Sequence, residues 1–157
     1  MLSEKAMFAA GCFWGVESAF SRVPGVINTA VGYTGGGKVN PSYEDVCTGR
    51  TGHAEAVLVE FDPGIISYDK LLDVFWDIHD PTTPDRQGPD RGTQYRSAIF
   101  FFTPEQEKTA RISKERLQAG GHYPDPIVTQ ISGAGDFYRA EEYHQRYNEK
   151  HGKLSCG

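Results

Sequence analysis

Cys12 is the residue whose surroundings most clearly suggest chemistry. It lies between Gly11 and Gly15, and two large aromatic residues, Phe13 and Trp14, follow it directly. An apolar segment precedes it and a helical pattern follows it, so we expect Cys12 where a strand ends and a helix begins. Backbone N–H groups at a helix N-terminus favour negative charge. They therefore favour the thiolate, which is the reactive form of cysteine.

Each residue of this block also has an ordinary structural explanation. Cys12 could be a buried structural cysteine, but its place at a strand-to-helix junction between glycines favours a reactive thiol. Phe13 fits the apolar stripe of the predicted helix and would fill the core. Trp14 lies off that stripe, so it suits the wall of an apolar pocket beside the thiol.

Glu55 is the second candidate for chemistry. It belongs to an alternating segment that predicts a strand, and it falls on the same face as Val57, Val59 and Phe61. Partial burial on that face would raise the pKa of its carboxyl and keep it protonated, which is the state that a proton donor needs. The alternative is a carboxylate at a strand end that simply reaches water.

Three further polar residues, Tyr43, Asp90 and Tyr95, come from glycine- and proline-rich loops. Each of them alone is best explained as a surface or packing residue. Together they could line a pocket for a small polar group. Four histidines could be bases for a cysteine hydrolase, although the sequence places none of them beside Cys12 and favours structural or surface roles: His53, His79, His144 and His151.

The other two cysteines differ in context. Cys156 stands one residue from the end in a Gly/Ser-containing tail, where it is either a tolerated exposed thiol or a resolving thiol on a mobile arm. Cys47 follows Val46 in a possible short helix, and we expect it to be buried as a small hydrophobic residue. Three widely spaced cysteines form neither a disulfide framework nor a zinc motif, so we expect no metal.

The composition is that of an ordinary globular protein. The 157 residues carry 16 basic and 21 acidic side chains, a formal net charge of −5, which argues against nucleic acid or an anionic membrane as a partner. No apolar run is long enough to cross a bilayer, and the N-terminus has no secretory signal pattern. We therefore expect a monomeric cytoplasmic protein with one catalytic domain over residues 1–157, of which 150–157 form a mobile tail.

The order of predicted elements indicates an α+β fold (α/β in the broad sense). We expect a two-layer sandwich with a mixed sheet, a ferredoxin-like β-α-β-β-α-β core and an irregular C-terminal tail. The long proline-rich stretch 80–93 shows no periodicity, and such stretches inside compact domains are usually functional. The predicted strands are 5–10, 27–33, 53–61, 95–102 and 126–131. The predicted helices begin near residues 13, 42, 67, 104 and 139, and the last ends near 149.

Together these motifs resemble the A-type peptide methionine sulfoxide reductases. The resemblance begins with Gly-Cys-Phe-Trp-Gly and covers nearly the whole chain in five ordered blocks, which makes a chance match very unlikely. The matching residues are 11–15, 32–36, 40–47 with 51–57, 79–83 with 86–88, and Asp90 with 92–97.

The resemblance implies a role for each catalytic residue. Cys12 would attack the sulfur of methionine S-sulfoxide, free or in proteins, while Glu55 protonates the oxygen. Cys12 would then be a sulfenic acid, which Cys156 would resolve to a disulfide. Thioredoxin, or dithiothreitol in vitro, would reduce that disulfide, with no bound cofactor. Such an enzyme serves protein repair under oxidative stress.

The resemblance also implies the substrate-binding residues. Phe13 and Trp14 would hold the S-methyl group in an apolar slot. Tyr43 and Tyr95 would hydrogen-bond the sulfoxide oxygen, and Asp90 would orient the pocket through its hydrogen bonds.

Two other functions remain open at this stage. One is a cysteine hydrolase or acyltransferase in which a histidine activates Cys12. The other is a non-catalytic module that binds methionine side chains through Phe13 and Trp14.

Overall fold

A six-stranded mixed sheet forms the centre of the molecule. The computed structural model describes residues 3–151. The strands are β1 (Glu4–Ala10), β2 (Val26–Thr34), β3 (Ala54–Phe61), β6 (Ser97–Phe101), β7 (Gln130–Gly133) and β8 (Phe137–Arg139). They lie in the order β7-β6-β1-β3-β2-β8. A separate hairpin joins β4 (Arg86–Gln87) to β5 (Asp90–Arg91).

The four central strands give the predicted ferredoxin-like core. β1 pairs antiparallel with both β3 and β6, and β2 pairs antiparallel with β3. β1 and β2 are therefore parallel to each other, and so are β3 and β6, with a helix in each connection. β7 adds a parallel edge to β6, and β8 adds an antiparallel edge to β2, which makes the sheet mixed.

Three helices and a short fourth one precede the C-terminal segment, by which we mean residues 137–151. They are α1 (Phe13–Ser21), α2 (Tyr43–Cys47), α3 (Tyr68–Asp77) and α4 (Pro104–Ala119). Their apolar faces pack on one side of the sheet in a core that includes Phe8, Phe20, Phe61, Leu71 and Phe75. No helix in residues 3–151 is long and apolar enough to cross a membrane.

Local sequence explains where these helices begin. Ser42, Ser67 and Thr103 each accept a hydrogen bond from the backbone N–H three residues on, which caps α2, α3 and α4. α1 starts differently, because its N-cap is Cys12, whose own side chain does not cap the helix. The unusual start of α1 is where the site lies.

The opposite face of the sheet holds a smaller apolar cluster. Alanines from β1, β3 and β6 line it together with Met7 and Phe100, and Phe137 packs against them from the C-terminal segment. The small side chains let this segment approach the sheet closely. Gly32 of β2 shows how closely, since its Cα faces both the Phe137 ring and the Tyr138 carbonyl.

Three sequence predictions in the second half of the chain are wrong. The strand predicted from residue 95 begins at Ser97, because Thr93–Tyr95 form a 3₁₀ turn. The strand predicted over 126–131 is displaced to Gln130–Gly133, since the preceding residues bond to other loops instead. The helix predicted over 139–149 is instead β8, a 3₁₀ turn at Glu142–His144 and the short helix α5 (Tyr147–His151).

Substituting Gly32 by alanine should destabilise the fold. A Cβ there would lie 2.5 Å from Phe137 Cζ and 2.5 Å from the Tyr138 carbonyl oxygen, so β8 would have to move away from β2. Overpacking of this kind costs about 1–3 kcal/mol of the free energy of unfolding. Urea denaturation measures the cost. Gly37→Ala is the matched control, because a Cβ at Gly37 meets nothing within 4 Å.

Candidate functional site

Cys12 lies at the junction between β1 and α1, as the sequence predicts. Its backbone is the N-cap of α1, so the residue precedes the first N–H groups of the helix, which have no partner within the helix. Gly11 makes the junction possible, since it has φ 99° and a Cβ there would collide with the Gln87 side chain. Cys12 is half-buried and is disulfide-bonded in this structure.

Glu55 lies beneath the start of α1. It is the second residue of β3 and is 1% exposed, on the face that also carries Val57, Val59 and Phe61. Its Oε1 accepts a hydrogen bond of 3.2 Å from the Phe13 backbone N–H. Its Oε2 is buried, and no atom among residues 3–151 bonds to it. The alternation of the strand therefore predicted the burial of Glu55 correctly.

Burial dominates the protonation of Glu55. Burial raises the pKa of its carboxyl from 4.5 to about 8, the Phe13 N–H opposes the rise, and the negative charge of Asp90 adds to it. Ionising the carboxyl in place therefore costs on the order of 5 kcal/mol more than in water. A helix N-terminus contributes only about 0.3–1 kcal/mol towards the charged form. Glu55 is thus a neutral acid at pH 7.

Two tyrosine hydroxyls lie close to this acid. Tyr43 opens α2 and Tyr95 closes the 3₁₀ turn after β5, so they come from two different loop regions. Burial is the largest cause that raises the pKa of the Tyr43 hydroxyl and that of the Tyr95 hydroxyl, the latter to about 12. The negative charge of ionised Glu55 raises both pKa values further. Both hydroxyls remain neutral hydrogen-bond donors over the whole working range of pH.

Asp90 reaches the same group from β5, within the long stretch 80–93. Its charge raises the pKa of both Glu55 and Tyr95, which places the three side chains in one electrostatic neighbourhood. The stretch that lacks periodicity thus folds into a hairpin that supplies Asp90, and it leads directly into the 3₁₀ turn that ends at Tyr95. The Gln87 side chain of this stretch also lies against Gly11, where it occupies the space that a Cβ would need.

The two aromatic residues after Cys12 differ in their surroundings. Phe13 is 1% exposed, and its ring centroid lies 5.7 Å from that of Tyr33 and 6.4 Å from that of Tyr43. Trp14 is half-buried and stacks on Tyr147 at 3.7 Å between centroids. Phe13 therefore joins the core to the site, while Trp14 lies at its edge.

The C-terminal segment holds this aromatic group together, and the sequence did not predict that. The Glu141 carboxylate accepts hydrogen bonds from the Tyr33 hydroxyl and the Tyr43 backbone N–H, both at 2.9 Å. The Gln145 side chain bonds to both the N–H and the carbonyl of Val31 in β2. The sequence predicts a single helix over residues 139–149, and that pattern carries no signal of these contacts.

Comparison with known proteins agrees with this arrangement. The family model described as "Peptide methionine sulfoxide reductase" matches residues 4–157. This chain belongs to the peptide methionine sulfoxide reductase family. A relative from Methanoculleus marisnigri named peptide methionine sulfoxide reductase MsrA is 65% identical over 153 residues, which cover 98% of this chain and 93% of the relative.

Solved structures of the methionine sulfoxide reductase family have the same fold. Mxr1 from Saccharomyces cerevisiae in reduced form is 36% identical, with a TM-score of 0.91 over 98% of this chain and 88% of that chain. Mxr1 in complex with Trx2 is 27% identical, with a TM-score of 0.65 over 92% of this chain and 84% of that chain.

In this member of the methionine sulfoxide reductase family, Cys12 lies where the sequence predicts, but Cys47 does not have the predicted surroundings. Cys47 is exposed and free, so the prediction that it is buried is wrong. It ends a five-residue helix whose inward position Val46 occupies, and its thiol bonds to the Tyr43 hydroxyl instead. Cys156 and most of the predicted tail 150–157 lie outside the described residues 3–151.

The described histidines have structural partners. His53 Nδ1 accepts from the Gly36 N–H at 3.0 Å, and its Nε2 lies 2.7 Å from the Lys38 carbonyl oxygen. His79 lies between the Phe75 carbonyl and the Ser97 hydroxyl, and burial lowers its pKa to about 4. Within residues 3–151, no group of three or more His, Cys, Asp or Glu side chains could hold a metal ion.

Proposed function

We propose that this chain is a thioredoxin-dependent peptide-methionine (S)-S-oxide reductase. The observation that carries the proposal is the burial of the Glu55 carboxyl, whose Oε1 lies 3.2 Å from the backbone nitrogen of Phe13 at the start of the helix that Cys12 caps. Reduction of a sulfoxide requires its oxygen to gain a proton, so a carboxyl that burial keeps neutral suits this reaction. Family membership supports the same reaction.

In the first step Cys12 acts as the nucleophile. Sulfoxide sulfur is weakly electrophilic until its oxygen takes a proton, so the thiolate attacks as Glu55 protonates that oxygen. Tyr43 and Tyr95 donate hydrogen bonds to the oxygen, and Asp90 holds the pocket in position. The attack forms a bond between the Cys12 sulfur and the sulfoxide sulfur, and the oxygen takes a second proton and leaves as water. A water molecule then attacks the Cys12 sulfur, which breaks the sulfur–sulfur bond, releases methionine and leaves Cys12 as a sulfenic acid.

Two further steps restore the thiol. The Cys156 thiol attacks the sulfenic acid, which releases water and leaves a Cys12–Cys156 disulfide. Thioredoxin then reduces this disulfide and becomes oxidised itself. The disulfide-bonded state of Cys12 and the complex of Mxr1 with Trx2 support this route.

The aromatic residues select the substrate. Phe13 and Trp14 form an apolar slot for the S-methyl group, on the helix turn that follows the nucleophile. The slot recognises a small apolar group. Both free methionine sulfoxide and methionine sulfoxide in an unfolded or exposed protein segment are therefore substrates.

The hydrolase alternative finds no available base in His53, His79 or His144. His53 and His79 have both ring nitrogens within hydrogen-bond distance of other groups. His144 Nδ1 accepts a hydrogen bond from Trp14, so its other nitrogen carries the proton and cannot accept one. Nothing in residues 3–151 favours acyl transfer over sulfoxide reduction.

The domain organisation, oligomeric state, partners and cellular location predicted from the sequence belong to the same proposal. We infer that residues 1–157 act as one catalytic domain, monomeric and without a bound cofactor. Its partners are thioredoxin and oxidised proteins, not nucleic acid or membranes. We place it in the cytoplasm because a reducing compartment would supply the thioredoxin that it needs.

Substituting Cys156 by serine should separate the two halves of the cycle. With methionine sulfoxide and no reductant, the variant should release about one methionine per enzyme, because the first step needs only Cys12. Thioredoxin-coupled oxidation of NADPH should then be lost. Cys47→Ser is the matched control and should keep thioredoxin-linked turnover. Full turnover in Cys156→Ser would remove the resolving role.

Substituting Glu55 by glutamine should slow the first step much more than it weakens binding. Removal of a general acid lowers the single-turnover rate by about 10²- to 10⁴-fold. In the wild type this rate should fall as the pH rises through 8, where the neutral carboxyl is lost. The glutamine variant should lack that decline.

The control for Glu55→Gln is Glu60→Gln, on the same strand but on the opposite face, where Glu60 accepts from Ser3. It should leave both the rate and the pH profile unchanged. An unchanged single-turnover rate at neutral pH in Glu55→Gln would exclude Glu55 as the proton donor.

A further inference from the structure

His144 is a fully buried histidine in the middle of the aromatic group at the site. It is 0% exposed and lies in the 3₁₀ turn Glu142–His144. Its ring centroid is 4.4 Å from that of Tyr43, 5.2 Å from Phe13 and 5.7 Å from Trp14. One imidazole ring therefore touches the nucleophile's two aromatic neighbours and one of the two hydroxyl donors.

The hydrogen bond between Trp14 and His144 fixes the state of the histidine. The Trp14 indole Nε1–H donates to His144 Nδ1 over 2.9 Å. An indole nitrogen can only donate, so Nδ1 must carry a lone pair. The ring is therefore neutral with its proton on Nε2, and that buried N–H has no hydrogen-bond partner among residues 3–151.

The backbone around His144 is held more firmly than a surface loop. Three residues before it, Glu141 bonds to Tyr33 and Tyr43, and directly after it, Gln145 bonds to Val31. The Arg146 N–H donates to the buried Glu17 carboxylate at 2.6 Å. These contacts tie both sides of His144 to α1, α2 and β2, so its ring has a fixed position.

We propose that His144 is a positioning residue that sets the orientation of the Trp14 indole, and with it the width of the slot for the substrate's methyl group. This inference rests on the proposed function, because the slot has a purpose only if methionine sulfoxide binds there. Nδ1 holds one edge of the indole while Tyr147 covers one of its faces. His144 itself does not touch the reacting atoms.

Two substitutions separate the hydrogen bond from simple packing. His144→Phe keeps a ring of similar size but removes the acceptor. His144→Asn is smaller, but its Oδ1 can take the place of Nδ1 and accept from the indole. His122→Phe is the matched control, because His122 is exposed and contacts the Tyr123 ring far along the chain from Trp14.

The kinetic result should be a change in binding. In His144→Phe the Trp14 indole N–H loses its acceptor and the indole is no longer held in one orientation, so the KM for methionine sulfoxide should rise by about tenfold, which corresponds to about 1.4 kcal/mol. The single-turnover rate at saturating substrate should change by less than about threefold, since Cys12 and Glu55 are untouched. His144→Asn should recover most of the lost affinity, and His122→Phe should behave as the wild type.

A spectroscopic signal tests the contact without any activity. The ¹H–¹⁵N spectrum should show the Trp14 indole signal, assigned with Trp14→Phe, moved upfield in His144→Phe and largely restored in His144→Asn. Trp76 is the internal reference, because its indole donates to the Ser113 hydroxyl and not to His144. A retained Trp76 signal also shows that the variant is folded.

The wild-type protein provides a test that needs no variant. A long-range ¹H–¹⁵N spectrum of the histidine rings should show His144 with its proton on Nε2, and the Nδ1–H form would overturn the proposal. An unchanged Trp14 signal together with an unchanged KM in His144→Phe would overturn it, as would equal losses in the Phe and Asn variants. If the wild-type protein did not reduce sulfoxides, the proposed function would be wrong. These spectra would still test the hydrogen bond between Trp14 and His144.

Discussion

The burial of one carboxyl beneath the start of a helix is the constraint on which the site depends. Glu55 can stay neutral there because β3 carries it into the core and the Phe13 N–H satisfies one of its oxygens. The same helix start favours a thiolate at Cys12. One junction therefore provides both the candidate nucleophile and a carboxyl that burial keeps neutral at a pH where water would ionise it.

The C-terminal segment gives this junction its aromatic surroundings. It pairs with β2 through the backbone of β8, and beyond β8 the side chains of Glu141 and Gln145 bond to backbone groups of Tyr43 and Val31. Charged and amide side chains can bond to buried backbone groups at exact positions, which a loop of small residues could not do. The segment thereby fixes Tyr43, His144 and Trp14 relative to one another.

The parts of the site that could be predicted were those with a local signal. Alternation along β3 predicted that Glu55 is buried, and the pattern around Cys12 predicted a strand-to-helix junction. Long-range contacts had no such signal, since Gln145 bonds to Val31 across 114 positions. The helix predicted over residues 139–149 does not form, because tertiary hydrogen bonds hold this part of the chain in another conformation. Cys47 was misjudged because a single helical turn leaves its last residue outside the core.

The protonation state of Glu55 is the central claim, and NMR titration tests it most directly. The reduced protein would be labelled with ¹³C at the glutamate carboxyls, and Glu55→Gln would assign the signal. The account predicts that the Glu55 carboxyl titrates with a pKa of about 8, far above the other glutamates. A pKa near 4.5 would mean that Glu55 is ionised at neutral pH, and that result would contradict its role as the acid.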